Sequence, residues 1–160
     1  GLKRNFAFEN WDWVGKDIIK QAREQAQAAI KKDIDLDISG YDIDGSMIEI
    51  AKENAVQAGV QDIVNFKQMA VKDFKTDKIN GVIVANPPYG ERLSDKEHVH
   101  RLYQQMGKLY QPLTSWSKYI LTSDLQFEQF YGTKATKRRK LYNGSLRTDF
   151  FQYWGKKIRN

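Results

Sequence analysis

The chain has 160 residues, of which 41% are hydrophobic and 29% charged, and its formal net charge is +6. This length suits one domain with a sizeable core, and no apolar run in it approaches the length that spans a bilayer. The chain contains no cysteine, which excludes disulfides and thiolate metal sites, and we expect a cytoplasmic protein.

Helices and strands are predicted to alternate along the chain. In order, the pattern predicts a helix over about 13–32 capped by Asp12, a strand over 34–41, a helix over 46–58 closed by Gly59, strands over 64–69 and 81–85, a helix over 95–113, a strand over 118–122, a short helix over 126–131, and strands over 139–142 and 146–154. Asn143-Gly144, between the last two strands, is a dipeptide favoured in tight hairpins. The sequence therefore predicts a single α/β domain over residues 1–160, with a doubly wound sheet and an antiparallel C-terminal hairpin.

Positive charge is concentrated near the C-terminus. Residues 134–160 contain nine lysines and arginines and one acid, which leaves the rest of the chain with a charge of −2. A basic end on a nearly neutral body predicts a polyanionic partner such as nucleic acid. Arg138, Arg139 and Lys140 lie together beside the predicted hairpin and are candidates for phosphate contacts. The alternative is an edge strand whose charges only deter aggregation.

The most informative motif is Asn86-Pro87-Pro88-Tyr89, directly after the apolar run of residues 81–85. Two prolines end the strand, because neither can donate a ladder hydrogen bond. The motif therefore lies at the carboxyl end of a buried strand, which is the edge where open α/β sheets bind ligands. Aminomethyltransferases carry an Asn/Asp-Pro-Pro-aromatic motif at this place, and the segment looks like theirs.

That motif suits the methylation of an exocyclic base amine, whose lone pair is delocalised into the ring. We expect the side-chain oxygen of Asn86 and the carbonyl of Pro87 to accept hydrogen bonds from the amine. Pro87 and Pro88 stiffen the turn, and Tyr89 can stack on a base taken out of its helix. Catalysis would then consist of positioning and electrostatic preorganisation, with no covalent enzyme intermediate.

The candidate cofactor site begins at the end of the strand predicted over 34–41, which corresponds to the second strand of Rossmann-like methyltransferases. Rossmann-like methyltransferases place an acid there that accepts hydrogen bonds from both ribose hydroxyls of S-adenosylmethionine, and Asp42 occupies that position, followed by Ile43. Asp44 is expected to cap the next helix instead. Relatives of this fold often hold the adenine amine with an acid where this chain has Ala70. Ala70 and Asn86 are candidate cofactor contacts beside Asp42 and Ile43. No metal site is predicted, since the two histidines, His98 and His100, face different directions on a helix.

Three segments together resemble the bacterial THUMP-containing methyltransferases, the RlmL-type 23S rRNA guanine-N2 enzymes often described as N6-adenine-specific DNA methylases. The segments are 6–11 (FAFENW), 49–59 (EIAKENAVQAG) and 86–93 (NPPYGERL). The resemblance covers essentially the whole chain. It implies S-adenosylmethionine as cofactor, large-subunit rRNA as partner, and methyl transfer to guanine N2.

One departure from the family concerns the glycine-rich loop that its members carry after their first strand. No such loop and no Gly-x-Gly occur in this chain. We therefore expect the C-terminal portion of a Rossmann-like methyltransferase domain that lacks its first strand and glycine loop. The missing N-terminal part of the same protein, including a THUMP domain, would complete it, and the 160 residues alone would be inactive.

Two other functions remain open from the residues alone. A DNA adenine-N6 methyltransferase would use the same turn, because the chemistry is the same for any planar exocyclic amine. A catalytically inactive RNA-binding fragment would keep the basic surface and the aromatic residues without a cofactor site. A nicotinamide-dependent dehydrogenase also has an acid at a strand end, but it has no need of the Asn-Pro-Pro-Tyr turn.

Overall fold

A computed structural model describes residues 4–31, 34–89 and 93–158. The chain divides into two compact units, Gly1–Ile38 and Ser39–Asn160. Residue 32 of the first predicted helix and residues 90–92 of the resemblance segment lie outside the described residues. In the described part of the chain, no helix is both long and apolar enough to cross a membrane.

The first unit contains a 3-10 helix, Ala7–Asn10, and the α-helix α1, Lys16–Ala28. Asp12 does not cap α1, so that prediction was wrong. The backbone N–H of Val14 donates to the carbonyl of Trp11 at 2.9 Å, and this turn carries the chain past Asp12 before the helix begins. The residue at the N-cap is Gly15, which has no side chain to offer.

The second unit contains the remaining elements of the alternating pattern, the first of which begins at Ile38, the last residue of the first unit. They are β1 (Ile38–Asp42), α2 (Gly45–Ala58), β2 (Val64–Gln68), a 3-10 helix (Val71–Asp73), β3 (Val82–Ala85), α3 (Leu93–Tyr110), β4 (Ser117–Thr122), α4 (Phe127–Tyr131), β5 (Lys137–Asn143) and β6 (Leu146–Tyr153). Each predicted helix and strand of this part is present, with ends that differ by a few residues. Gly59 closes α2 in the left-handed conformation, at a φ of 70°, as the sequence predicts.

The strands form two sheets. β1 pairs with β2, and a four-stranded sheet has the order β3-β4-β6-β5. β3 and β4 are parallel, whereas β6 is antiparallel to both β4 and β5. In the described part of the chain, β1 and β3 are therefore each paired along one edge only. The parallel pair followed by an antiparallel hairpin is the predicted arrangement.

The hairpin turn differs by one residue from the prediction. Asn143 pairs with Leu146 in the ladder, so the two-residue loop is Gly144-Ser145 and not Asn143-Gly144. Gly144 has a φ of 61°, which a residue with a side chain rarely adopts. Tight hairpin loops often place glycine at this first central position, because the turns that match the twist of the strands need a positive φ there.

The core lies between one face of the four-stranded sheet and the helices α3 and α4. On α3 the buried residues recur at helical spacing and present one apolar side to the sheet. One residue of β4 and two alternate residues of β6 complete the cluster, which also receives two side chains of α4. Its members are Val99, Tyr103, Met106, Tyr110, Ile120, Phe127, Tyr131, Phe151 and Tyr153. This packing brings α3 into contact with the turn that follows β3, through Tyr103.

Candidate active site

The Asn86-Pro87-Pro88-Tyr89 turn begins where β3 ends at Ala85. Asn86 is exposed, Pro87 is buried and Pro88 is exposed again, so the turn lies across the rim of the sheet. The buried proline anchors the turn by packing, since it has no N–H to donate. The carboxamide of Asn86 therefore stands at the surface at the carboxyl end of a parallel strand, as predicted. The prediction that this strand is buried was wrong, because Val82 and Val84 are exposed on an edge strand that has a neighbour on one side in the described residues.

The hydroxyl of Tyr89 donates to Oδ1 of Asn86 at 2.6 Å. The carboxamide oxygen thus already accepts a hydrogen bond from a neutral donor at the place where an amine is expected to bind. An N–H of a base amine could take the place of this hydroxyl, because both are neutral donors of similar reach. The geometry brings Asn86 and Tyr89 into direct contact, whereas the sequence predicts only that both lie in one turn.

The inner side of the turn is held by a residue that no sequence motif singles out. The hydroxyl of Tyr103 donates to the carbonyl oxygen of Pro88 at 3.2 Å. Tyr103 has an exposed fraction of 0%, and its hydroxyl also bonds to Oγ1 of Thr122 at 2.9 Å. In sequence Tyr103 is one apolar position of an amphipathic helix among several, so nothing there distinguishes it from an ordinary core tyrosine.

Asp42 is the last residue of β1, and its side chain is exposed. The backbone N–H of Asp44 donates to Oδ1 of Asp42 at 2.9 Å, and the carbonyl of Asp42 accepts from the N–H of Met69 at 2.8 Å. These bonds fix the backbone and one oxygen of the carboxylate. An oriented and accessible carboxylate of this kind suits two neighbouring hydroxyl donors.

Asp44 caps α2, as the sequence predicts. Its Oδ1 accepts from the hydroxyl of Ser46 at 2.7 Å and from the N–H of Ser46 at 2.8 Å. These hydrogen bonds, that of the hydroxyl first, hold the pKa of Asp44 below its usual value. Asp44 is therefore engaged at the helix end, and Asp42 is the carboxylate that remains oriented for a ligand.

Ile43 and Ala70, two further candidate cofactor residues, offer no polar side-chain atom. The side chain of Ile43 is exposed, and its carbonyl accepts from Nε2 of Gln68 at 2.9 Å. Ala70 precedes the second 3-10 helix and its carbonyl accepts from the N–H of Asp73 at 3.0 Å. Contact with a nucleoside at these two positions would therefore be apolar or made through the backbone.

The three basic candidates on β5 do not form one cluster. Successive side chains of a strand point to opposite faces, which separates Arg139 from Arg138 and Lys140. Nη2 of Arg138 donates to Oδ2 of Asp149 at 2.7 Å, and the guanidinium lies 4.9 Å from the ring centre of Phe151. All three residues are exposed, but Arg138 is engaged within the protein through its hydrogen bond to Asp149.

The histidines show no arrangement for metal binding. Nε2 of His100 lies 3.0 Å from Oδ2 of Asp124, and its ring stacks on Phe130 with a centroid distance of 3.6 Å. Among residues 4–31, 34–89 and 93–158, no group of three or more possible ligands could hold a metal ion.

Comparison with known proteins places this geometry in context. Residues 1–151 match the family described as "UPF0020: RMKL-like, methyltransferase domain". A Bacillus subtilis (strain 168) protein named "Putative RNA methyltransferase YpsC" is 51% identical over 156 residues, which are 98% of this chain and 40% of that protein. The "Ribosomal RNA large subunit methyltransferase K/L" of Shewanella sp. (strain W3-18-1) is 34% identical over 159 residues, which are 96% of this chain and 22% of that protein.

A solved structure agrees with the fold. The crystal structure of SMU.472, described as "a putative methyltransferase complexed with SAH", is 52% identical and superposes with a TM-score of 0.89. It covers 99% of this chain, whereas the matched part is 42% of that protein. The fold is therefore the Rossmann-like methyltransferase architecture that the alternating strands and helices predict. The chain spans less than half the length of each of these three proteins.

Proposed function

Because the chain belongs to the family of RMKL-like methyltransferase domains, we propose that it carries the base-binding turn and part of the cofactor site of an S-adenosylmethionine-dependent nucleic-acid methyltransferase. The acceptor we propose is N2 of a guanine in 23S rRNA. The observation that carries the proposal is the exposed carboxamide of Asn86, whose oxygen accepts a hydrogen bond at the carboxyl end of β3. The names of the RNA-directed relatives support RNA as the substrate.

In this proposal the turn holds the target amine by its two N–H groups. Oδ1 of Asn86 accepts one of them, and the carbonyl oxygen of Pro87 accepts the other. As the nitrogen becomes tetrahedral, its hydrogens grow more positive and both hydrogen bonds strengthen. The turn therefore stabilises the transition state more than the bound base, which is the requirement for catalysis.

S-adenosylmethionine, when bound, supplies a methyl group already activated by a positively charged sulfur. Asp42 fits the ribose of this cofactor, because its carboxylate is exposed and oriented by the N–H of Asp44. Ile43 offers an exposed apolar side chain beside it, and Ala70 offers a surface with no competing polar side chain. The chemistry of these residues suits a neutral nucleoside with two hydroxyl donors.

Tyr89 is proposed to form the stacking platform for the target base. Its ring is half-buried, and its hydroxyl now bonds to the carboxamide that the amine would occupy. When the base enters, the carboxamide oxygen would lose the hydrogen bond from the hydroxyl and accept one from the amine instead. Base-modifying enzymes need such a platform, because the target base loses its stacking partners when it leaves the helix.

The surface proposed to contact RNA is the exposed part of the β5–β6 hairpin. Arg139 and Lys140 are exposed there, and Nζ of Lys140 lies 5.4 Å from the ring centre of Tyr142. Cations beside an exposed aromatic ring suit the phosphates and bases of a polyanion. Arg138 contributes less in this proposal, because Asp149 already neutralises it.

We also propose that a further strand lies between β1 and β3 in the working enzyme. Each of the two strands is paired along one edge only in the described residues. Unpaired backbone groups inside a sheet are costly, so a strand that pairs with both would stabilise the unit. An N-terminal part of the same protein, with a glycine-rich loop and a THUMP domain, is the proposed source. The 160 residues alone would then be inactive, and a cytoplasmic location belongs to the same proposal.

The test is the identity of the methylated nucleoside. The full-length protein is incubated with S-adenosylmethionine and either large-subunit rRNA or double-stranded DNA, and the digested products are analysed by mass spectrometry. The proposal expects N2-methylguanosine from rRNA and no methylated base from DNA. N6-methyladenine from DNA would favour the alternative acceptor, and no product from either substrate would favour a role in RNA binding only.

A further inference from the structure

We infer that Tyr103, buried on α3, is a positioning residue for methyl transfer, because its hydroxyl sets the orientation of the Pro88 carbonyl and hence the direction in which Tyr89 leaves the turn. The inference rests on the proposed function of that turn. It concerns a residue outside the Asn-Pro-Pro-Tyr motif, reached through the hydrogen bond of 3.2 Å to the Pro88 oxygen.

The two prolines leave the turn with one free backbone torsion. The rings fix φ of Pro87 and Pro88 near −65°. A residue that precedes proline is confined to extended backbone, which restricts ψ of Asn86 and of Pro87. The remaining torsion is ψ of Pro88, which sets both the direction of its carbonyl and the path of the chain into Tyr89.

Tyr103 controls that torsion through a directed chain of hydrogen bonds. The backbone N–H of Asp124 donates to Oγ1 of Thr122 at 3.1 Å. Since the single proton of Tyr103 goes to the Pro88 carbonyl, the hydroxyl of Thr122 must be the donor in its 2.9 Å bond with Tyr103. Each hydroxyl therefore gives one hydrogen bond and receives one, and the direction of every bond in the chain is determined.

The rigid surroundings of Tyr103 make its hydroxyl a fixed reference point. Its ring packs edge-on against Phe127 with a centroid distance of 4.9 Å, and both side chains are fully buried. Thr122 has an exposed fraction of 0% on the central strand β4. Burial raises the pKa of Tyr103 to about 12, so the hydroxyl stays protonated and remains a donor throughout the pH range of an assay.

The same core contains a matched control. The hydroxyl of Tyr153 is also in the core cluster and donates to a backbone carbonyl, that of Thr133, at 3.2 Å. Tyr153→Phe thus removes a hydrogen bond of the same type and length as Tyr103→Phe does. The two substitutions differ in which carbonyl is released, since Thr133 lies after α4 and not in the base-binding turn.

The experiment compares Tyr103→Phe, Tyr153→Phe and Asn86→Ala in the full-length protein, with rRNA as substrate. We expect both tyrosine variants to lower the melting temperature by similar small amounts. Tyr103→Phe should lower kcat about tenfold, the equivalent of one hydrogen bond, while KM for RNA changes less than twofold. Tyr153→Phe should leave kcat unchanged. Thr122→Val should lower kcat less than Tyr103→Phe does. Thr122→Ser, which keeps the hydroxyl, should have the kcat of the native protein.

The outcomes separate this inference from the proposed function. If Asn86→Ala lowers the rate of transfer about a hundredfold but the two tyrosine variants have equal kcat values, Tyr103 is an ordinary core residue and the inference is overturned while the proposed function stands. If Asn86→Ala transfers methyl groups at the normal rate, the proposed function fails and the inference fails with it. A Tyr103→Phe protein that loses RNA affinity with normal kcat would also overturn it.

Discussion

The pair formed by Arg138 and Asp149 predicts an unequal cost for the loss of its two partners. Asp149 has an exposed fraction of 1%, whereas the side chain of Arg138 is 34% exposed. Arg138→Met removes the guanidinium, which lies over the ring of Phe151, and leaves a buried carboxylate whose remaining partner, Arg147, is 3.3 Å away. Removing one partner of a buried ion pair costs about 3–5 kcal/mol of stability. Because Arg147 still partly compensates the carboxylate, we expect Arg138→Met to cost about 2–3 kcal/mol.

Asp149→Asn should be milder. It keeps the shape of the side chain and leaves Arg138 with Glu128, 4.0 Å away, as its acidic neighbour, and that guanidinium also reaches solvent and can be hydrated. We expect a loss of about 1 kcal/mol from the weaker hydrogen bonds. The exposed partner is thus the more costly one to remove, because the charge left behind determines the penalty.

Denaturant unfolding of the full-length protein measures these free energies. Arg139→Met is the control, since it removes a neighbouring positive charge from the opposite face of β5 and should change stability by no more than about 0.5 kcal/mol. The double variant Arg138→Met/Asp149→Asn should lose less stability than the sum of the losses in the two single variants. The reasoning would be refuted if Arg138→Met were as mild as Arg139→Met, or milder than Asp149→Asn.

The same pair predicts a dependence on pH. The hydrogen bond from Arg138, together with the charges of Arg138 and Arg147, holds the pKa of Asp149 below its ordinary 3.8. A carboxyl with a lowered pKa in the folded protein stabilises the fold above the unfolded value, and this contribution is lost as the pH falls through the folded value. The stability difference between the native protein and Asp149→Asn should therefore be constant at neutral pH and shrink in acid below about 4.

Three further predictions concern the ligands. Asp42→Ala in the full-length protein should weaken S-adenosylmethionine binding by about 1–3 kcal/mol in calorimetry, because two ribose hydroxyls lose a charged acceptor, and equal affinities would reject that role. Tyr89→Phe should keep kcat within about threefold of the native value, whereas Tyr89→Ala should lower it about a hundredfold, because stacking contributes more than the hydroxyl. Similar losses in both variants would show that the hydroxyl is the more important group. Replacing Arg139 and Lys140 with serine should reduce the slope of log affinity against log salt by about 0.7–0.9 for each lost phosphate contact, and an unchanged slope would favour a merely solubilising edge.

The elements that the sequence predicts well are those with a local cause. Gly59 ends α2 because a left-handed residue is needed there, and Asp44 caps it through Ser46 two positions later. Asn86 follows its strand because two prolines terminate the ladder. Each of these signals lies within a few residues of the feature that it specifies.

The features that the sequence does not reveal depend on partners far along the chain. The bond from Tyr103 to Pro88 joins residues 15 positions apart, and that from Arg138 to Asp149 joins residues 11 apart. The basic run of residues 138–140 predicts a surface for polyanions. The pairing of β5 with β6 places Asp149 beside Arg138, and this contact is not visible in the sequence. The prediction that Asp12 caps α1 was wrong for a local reason. Asp12 is a suitable cap residue, but a turn from Trp11 to Val14 carries the chain past it before the helix begins.

The most direct test of the account is single-turnover methyl transfer by the full-length Asn86→Ala protein, at saturating S-adenosylmethionine and rRNA. The account predicts a rate about a hundredfold lower than that of the native protein, the cost of one preorganised acceptor at the reacting nitrogen, with cofactor affinity within twofold. Asn86→Asp, which keeps an acceptor oxygen at the same place, should lose less. An unchanged rate for Asn86→Ala, or a loss explained entirely by weaker cofactor binding, would contradict the assignment of this turn.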